Sequence, residues 1–278
     1  MAETAKYSSW LVASDIDGTL NNKKRELQQE NLVAIKEFVN KGGRLTLASD
    51  RNPESMRKHY QGLPLNGIPA IVNNGAGIYD YEKEKMISFA ELSEGSKTVA
   101  VNVANRHPTV DTMIFTADSM FTAGVGFWIK IYEMYDRPTH KYYRKITDVP
   151  REGWGKIVFM GAPWRIKKVT KELEHFPDKE YVVIPNSNVS VEILAKGINK
   201  GSAALKLARF LGIEEEKTAA VGDYYNDIDM LNAVAVAGCT AEAPKAVKDI
   251  SDYVTCSCNE GAVADFLSYL ETKINEQN

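Results

Sequence analysis

The sequence predicts an α/β fold: a Rossmann-like, doubly wound parallel sheet core with an inserted α/β cap domain. Three observations carry that expectation. Short apolar runs at 10–17, 44–48 and 69–72 alternate with helical stripes, a pattern that favours parallel strands joined by crossover helices. After residue 77 the style changes to a hairpin and aromatic-rich segments, and near residue 189 the first pattern resumes. The 278 residues also exceed one domain of about 150, so two units are expected, a core over 1–82 and 189–278 and an insert over 83–188.

Taken in order, residues 10–17 (WLVASDID) read as a strand ending in acids, and apolar positions 32, 35, 38 and 39 give the first helix one buried stripe. Gly42 and Gly43 close that helix, and RLTLA at 44–48 is the second strand. Pro53 suits a helix first turn, so 54–61 reads as a helix, and 69–72 is a third strand running into Asn73, Asn74 and Gly75. Segments 78–81 and 86–89 flank a charged turn as a hairpin. Further on, 156–160 reads as a strand and 164–176 as a helix, while Trp128 and Tyr132, four apart, are expected to pack a helix onto its own sheet. VSVEIL at 189–194 is read as the return to the first sheet, followed by a helix over 200–211 and strands at 218–221, 233–237 and 252–255. Helices at 244–249 and 262–273 complete the alternation.

Composition narrows the function classes. The net charge is −3 with 44% hydrophobic and 26% charged residues, the balance of an ordinary globular protein; neither nucleic acid nor membrane is expected as a partner. The three cysteines, at 239, 256 and 258, are too few and too clustered for a secreted disulfide framework. Residues 1–10 lack the basic-then-apolar run of an export signal, so a cytoplasmic location is expected. The four histidines show no metal-ligand spacing, which argues against zinc.

Chemistry concentrates at strand ends. Asp15 and Asp17 stand two apart at the end of the first strand, where side chains share a face, and paired carboxylates repel unless a cation or proton lies between them. Hard oxygen donors favour magnesium; a plain turn pair is the alternative for these two acids. Asp223, Asn226 and Asp227 supply further oxygen-bearing groups after the 218–221 run, whereas Asp229 lies deeper in the next helix and is expected to cap or be solvated. Ser49, Asp50 and Arg51 offer a hydroxyl and backbone amides suited to phosphate, or simply a helix cap before Pro53. Lys200, at a helix start, is a point charge for an anion or an ordinary surface lysine.

In sequence order, DIDGTL at 15–20, LTLASDR at 45–51, INKGSAALK at 198–206 and GDYYNDIDML at 222–231 resemble the four motifs of the haloacid dehalogenase-like superfamily of phosphatases. The resemblance covers nearly the whole chain and falls in the Cof-type branch, which carries a large C2 cap after the third strand; NNGAGIYD at 73–80 is similar to that branch as well. It implies a magnesium-dependent phosphomonoesterase that acts on small phosphorylated metabolites, a sugar phosphate or similar, through an aspartyl-phosphate. By that similarity Asp15 is the nucleophile and Asp17 the general acid and base. Ile16, Ser49, Asp50, Lys200 and Asn226 bind the phosphoryl oxygens, Ile16 and Asp50 through their amides. Mg2+ is held among Asp15, the Asp17 carbonyl and Asp223, with Asp227 in reach of a metal-bound water or of Lys200. A phosphomutase or phosphotransferase using the same aspartate, and a non-catalytic sensor of phosphometabolites, remain as alternatives.

One departure stands out. Most relatives carry glycine after the second-motif hydroxyl, and this chain carries Asp50. Its carboxylate is expected to turn outward, toward Arg51 or solvent, because like charges near a bound dianion cost binding energy.

Overall fold

The computed structural model describes residues 7–136, 139–177 and 179–276. In chain order the elements are β1 (Leu11–Ser14), α1 (Gln29–Asn40), β2 (Arg44–Leu47), α2 (Pro53–Gln61), β3 (Ala70–Val72), β4 (Gly77–Asp80) and β5 (Lys85–Phe89). Next come α3 (Glu94–Arg106), β6 (Asp111–Phe115), β7 (Met120–Ala123), α4 (Phe127–Asp136), β8 (Lys141–Tyr143), β9 (Lys156–Met160), α5 (Pro163–His175), β10 (Tyr181–Ser187) and β11 (Ser190–Ala195). The remainder is α6 (Lys200–Phe210), β12 (Thr218–Gly222), α7 (Ile228–Ala233), β13 (Val236–Cys239), α8 (Lys245–Lys248), β14 (Tyr253–Val254) and α9 (Ala262–Glu276). The chain divides into two compact units: one is built from the residues up to Asp50, Met56–Lys85 and Asn199 onward, the other from Arg51–Ser55 and Met86–Ile198.

The first unit holds a wholly parallel sheet in the order β14-β13-β12-β1-β2. β1 is an interior strand, paired from Leu11 with Thr218 on one side and Arg44 on the other, and all four of its residues are buried. A strand covered on both faces reads as a continuous apolar run, which is why 10–17 was legible. A parallel bridge between Ala48 and Ile71 sets the end of β3 beside β2, and β3 then pairs antiparallel with β4. Helix α1 buries Asn31, Ile35, Phe38 and Val39; the Asn31 amide donates to the Leu20 carbonyl and accepts from the Ala264 N–H, tying α1 to the start of α9. The outcome of this layering is one row of strand ends, after Ser14, Leu47, Val72 and Gly222, from which the motif residues emerge.

The second unit is a six-stranded sheet in the order β10-β11-β9-β6-β7-β8, antiparallel except where β7 meets β8. Helices α3 and α5 share a core with Ile114, Ile157, Phe159, Val191 and Ile193 on one face. On the other face Trp128 and Tyr132 of α4 pack against Met113, Phe115, Met120, Val158 and Met160, as their spacing predicts. The buried Asp111 carboxylate accepts from the N–H groups of Gly126 and Trp128, both at 2.8 Å, and so fixes the start of α4.

Two strand assignments differ from expectation. Strand 190–195 does not rejoin the parallel sheet at residue 189; it lies between β9 and β10, antiparallel to both. The first unit resumes at Asn199, ten residues later than the spacing suggested. Likewise Ala233 ends α7 and the strand expected at 233–237 occupies 236–239. No helix among the described residues is long and apolar enough to cross a membrane.

Candidate active site at the parallel strand ends

Immediately after β1, the Asp15 N–H donates to the Val221 carbonyl of β12 at 3.0 Å, which fixes Asp15 at the junction of two strands. The chain then turns: the Asn21 N–H donates to the Ile16 carbonyl, and the Gly18 N–H to the Asn21 carbonyl. Gly18 has φ +97, and a Cβ there would sit 2.6 Å from Asp223 Oδ2, so only glycine suits both the conformation and the approach. Thr19, unassigned from sequence, donates its hydroxyl to Asp223 Oδ1 at 3.0 Å; its signal was its place directly after that glycine.

Lys200 is the first residue of α6. Asn199 caps that helix by accepting from the Ser202 N–H at 2.7 Å while Ser202 returns the bond to the Asn199 N–H, so the lysine stem leaves from a rigid end. Its ammonium is fully buried, 2.5 Å from Asp15 Oδ1 and 2.7 Å from Asp227 Oδ1. The other oxygen of Asp227 accepts from the N–H groups of Asp223 and Tyr224, at 3.0 and 3.1 Å. Both oxygens of Asp227 are therefore engaged. Of the two positions left open for it, the one beside Lys200 is the one its geometry favours.

Asp15, Asp223 and Asp227 each bring a carboxylate oxygen within 4.8 Å of the others. Lys200 is bonded to two of these three acids, so the cluster carries more acidic groups than the one ammonium can balance. Burial, reinforced by Asp227 and Asp223 and opposed by Lys200, pushes Asp15 well above the usual carboxylate range. Burial and then Asp227 push Asp223 up to about 6, against the Thr19 bond and Lys200. For Lys200, burial pulls downward, but Asp15 and Asp227 outweigh it and hold the ammonium above the ordinary lysine value. A cluster of hard oxygen donors with this charge excess fits a divalent cation.

Asp17 is half-buried in the Gly18 turn, and its carboxylate is not one of the three clustered oxygens. Ile16 is fully buried just after Asp15. Ser49 follows β2, next to the β1 end, with its N–H on the Ile71 carbonyl at 3.0 Å. Asn226 is half-buried in the short 3-10 turn Tyr225–Asp227. Asp50 directly follows Ser49, and its Oδ1 accepts from the Ser49 hydroxyl at 3.3 Å. Asp229 stays in the first turn of α7, as expected.

Comparison with known proteins now decides the family. A family model described as haloacid dehalogenase-like hydrolase matches residues 12–267. The chain belongs to the haloacid dehalogenase-like hydrolases. Among relatives, the 5-amino-6-(5-phospho-D-ribitylamino)uracil phosphatase YcsE of Bacillus subtilis is 28% identical over 255 residues, covering 91% of this chain and 92% of that protein. The pyridoxal phosphate phosphatase YbhA of Escherichia coli is 23% identical over 271 residues, covering 92% and 97%. A haloacid dehalogenase-like hydrolase from Bacteroides thetaiotaomicron has the same fold, with a TM-score of 0.82 at 23% identity over 94% of this chain and 99% of that one. This haloacid dehalogenase-like chain is accordingly an enzyme of the phosphatase kind, with the Cof-type features its motifs suggested.

The raised acids give a pH prediction. A carboxylate whose folded value lies above its unfolded value holds its proton more tightly when folded, so its ionisation costs stability as pH rises from about 4 through 6. Without metal, the melting temperature of wild type is expected to fall more across that window than that of Asp223→Asn. An added divalent cation is expected to raise the wild-type value at pH 7.5 far more than at pH 4.5, because ligation by such acids needs the ionised form. Thermal scans at the two pH values check both statements; equal slopes for wild type and variant would refute the assignment.

Proposed function

We propose that this protein is a magnesium-dependent phosphomonoesterase of small phosphorylated metabolites, working through an aspartyl-phosphate on Asp15. The observation that carries the proposal is the buried Lys200 ammonium bonded at once to Asp15 and Asp227, with Asp223 beside them. In this reading an Asp15 oxygen forms the bond to phosphorus while the ester P–O bond breaks and Asp17 gives its proton to the leaving oxygen. Water then attacks phosphorus, Asp17 takes its proton, and Asp15 and inorganic phosphate are released. Lys200 orients Asp15 and, with the Ser49 hydroxyl, the Ile16 and Asp50 amides and the Asn226 amide, donates to the phosphoryl oxygens, a set of donors poised for the charge of the transition state. Asp227 holds the ammonium in place. Asp15, the Asp17 carbonyl and Asp223 would hold Mg2+, which supplies charge neutralisation between the phosphate dianion and the carboxylates.

Two relatives carry names for quite different phosphate esters, a ribitylaminouracil and pyridoxal phosphate, so what they share is the phosphomonoester itself. We assign to the inserted unit the selection of the leaving group, and to the enzyme a cytoplasmic location where such metabolites occur. Phosphate release from p-nitrophenyl phosphate, pyridoxal phosphate, sugar phosphates and nucleoside monophosphates, with magnesium or with chelator, tests the reading. Magnesium-dependent release without any acceptor supports a hydrolase over a mutase. Binding without turnover would replace the hydrolase with the sensor.

Asp50 sharpens the prediction. Its carboxylate holds the Ser49 hydroxyl that this reading assigns to phosphate, and it adds a like charge nearby. Asp50→Gly is expected to lower KM for these esters by about fivefold, the equivalent of about 1 kcal/mol for a charge pair in a partly solvated site. Steady-state kinetics read it directly, and an unchanged or raised KM would contradict it.

A further inference from the structure

Residues 73–75 close the end of β3 in an uncommon way. Asn73, Asn74 and Gly75 have φ of 52, 58 and 95, three left-handed residues in succession, two of which are not glycine. Such conformations are disfavoured for residues with a Cβ and persist only where the surroundings enforce them; asparagine tolerates them best. The turn is buried throughout, and Asn73 keeps both ends of its side-chain amide without a hydrogen-bond partner among the described residues. Stability alone does not favour that arrangement.

What the turn touches gives it a purpose. The Asn74 N–H donates to the Ser49 carbonyl at 2.9 Å. On the far side, a Cβ on Gly75 would fall 2.1 Å from the Asn199 carbonyl oxygen and 2.8 Å from the Lys200 nitrogen, so its backbone rests directly on the start of α6. The same three residues are thus wedged between the main chain of Ser49 and the main chain of Lys200. These two arrive from β2 and from α6, about 150 residues apart in sequence, and no bond joining them directly is needed if the turn spaces them.

We infer that the Asn73–Gly75 turn is a positioning element that sets the spacing between Ser49 and Lys200, two of the side-chain donors assigned to the phosphoryl oxygens. The inference rests on the phosphatase reading and deepens it. The turn acts through its backbone shape: Asn74→Gly keeps the N–H and the left-handed conformation, whereas Asn74→Val opposes that conformation and Gly75→Ala drives a methyl into the Asn199 carbonyl.

The test uses p-nitrophenyl phosphate turnover and inorganic phosphate binding by calorimetry on the full chain with magnesium. Asn74→Gly is expected to stay within about twofold of wild type, while Asn74→Val and Gly75→Ala lose about tenfold or more in kcat/KM, in line with the steep cost of a misplaced catalytic group. Gly75→Ala is also expected to weaken phosphate binding about tenfold, and in a Lys200→Met background that factor is expected to shrink below about threefold, because the ammonium it misplaces is gone. Should Gly75→Ala fail to fold, the Asn74→Val and Asn74→Gly pair carries the same comparison. Wild-type kinetics in folded Asn74→Val or Gly75→Ala, or a loss that multiplies unchanged with Lys200→Met, would overturn the inference. Failure of the phosphatase reading is seen separately, as absent turnover in wild type or turnover that survives in Asp15→Asn.

Discussion

Asp15→Asn is expected to abolish phosphate release, by about 10⁴-fold or more, while leaving the metal-free protein at least as stable as wild type. The first half follows from the role of Asp15: an amide oxygen cannot form and then release the phosphoryl ester, and deleting a covalent nucleophile removes the whole pathway rather than one contact. The second half follows from electrostatics. The carboxylate is buried beside two other acids, and its ionised form is penalised in the folded protein, as its elevated pKa records. The sign is that of a raised acid: stability is greatest at low pH and falls as the group is forced to ionise. An asparagine oxygen still accepts from Lys200, so the substitution removes a repulsion and keeps a hydrogen bond. Activity and stability should therefore move in opposite directions, as they do where a site is arranged for chemistry at the expense of the fold. Turnover of p-nitrophenyl phosphate and thermal melts at pH 7 with chelator check both halves. Residual turnover within tenfold of wild type would remove Asp15 from its role, and a melting temperature several degrees lower would show that the like-charge account is incomplete.

Much of this arrangement was legible in the sequence because strand ends carry the chemistry. Asp15, Ser49 and Asp223 each follow a short apolar run, and the structure sets those runs side by side in one parallel sheet. Where the reading failed, the reason is physical. The VSVEIL segment shows the period of two that any half-buried strand shows, and periodicity says nothing about which strand it pairs with. One signal was present: parallel central strands run nearly uninterrupted in apolar residues, and this one contains Glu192. In the structure Glu192 is wholly buried and paired with Lys156 of β9 at 3.3 Å, a contact only the antiparallel sheet provides. The 233–237 run erred differently, since small apolar residues suit a buried helix end as well as a strand. Within the site, the Thr19 bond to Asp223, the Ser49 bond to Asp50 and the wedge at Gly75 depend on side-chain placement and on φ values that no local pattern fixes.

Lys200→Met is the other variant expected to have a large effect, and here activity and stability should fall together. The ammonium is fully enclosed and shared by two buried carboxylates. Removing one partner of a buried ion pair strands the other, at a cost of about 3–5 kcal/mol, unless the stranded acids take up protons. That escape sets the pH dependence: without Lys200 the pull that lowers Asp15 disappears, its pKa climbs further, and the penalty grows as pH rises. The destabilisation should thus be modest near pH 5 and pronounced near pH 8. Turnover should drop by about 10²–10³-fold, the usual effect of losing one charge-stabilising donor in the transition state. The double variant Lys200→Met with Asp227→Asn separates the two consequences. It removes one stranded charge and should recover much of the stability at pH 8, because the amide oxygen introduced there can still accept from the Asp223 and Tyr224 N–H groups. It should recover none of the turnover, because nothing replaces the ammonium at Asp15. Urea unfolding at pH 5 and 8, beside kinetics at pH 7, distinguishes these outcomes. If Lys200→Met melted like wild type at pH 8, the ammonium would not be what offsets the paired acids, and the electrostatic account of the site would have to be rebuilt around another cation.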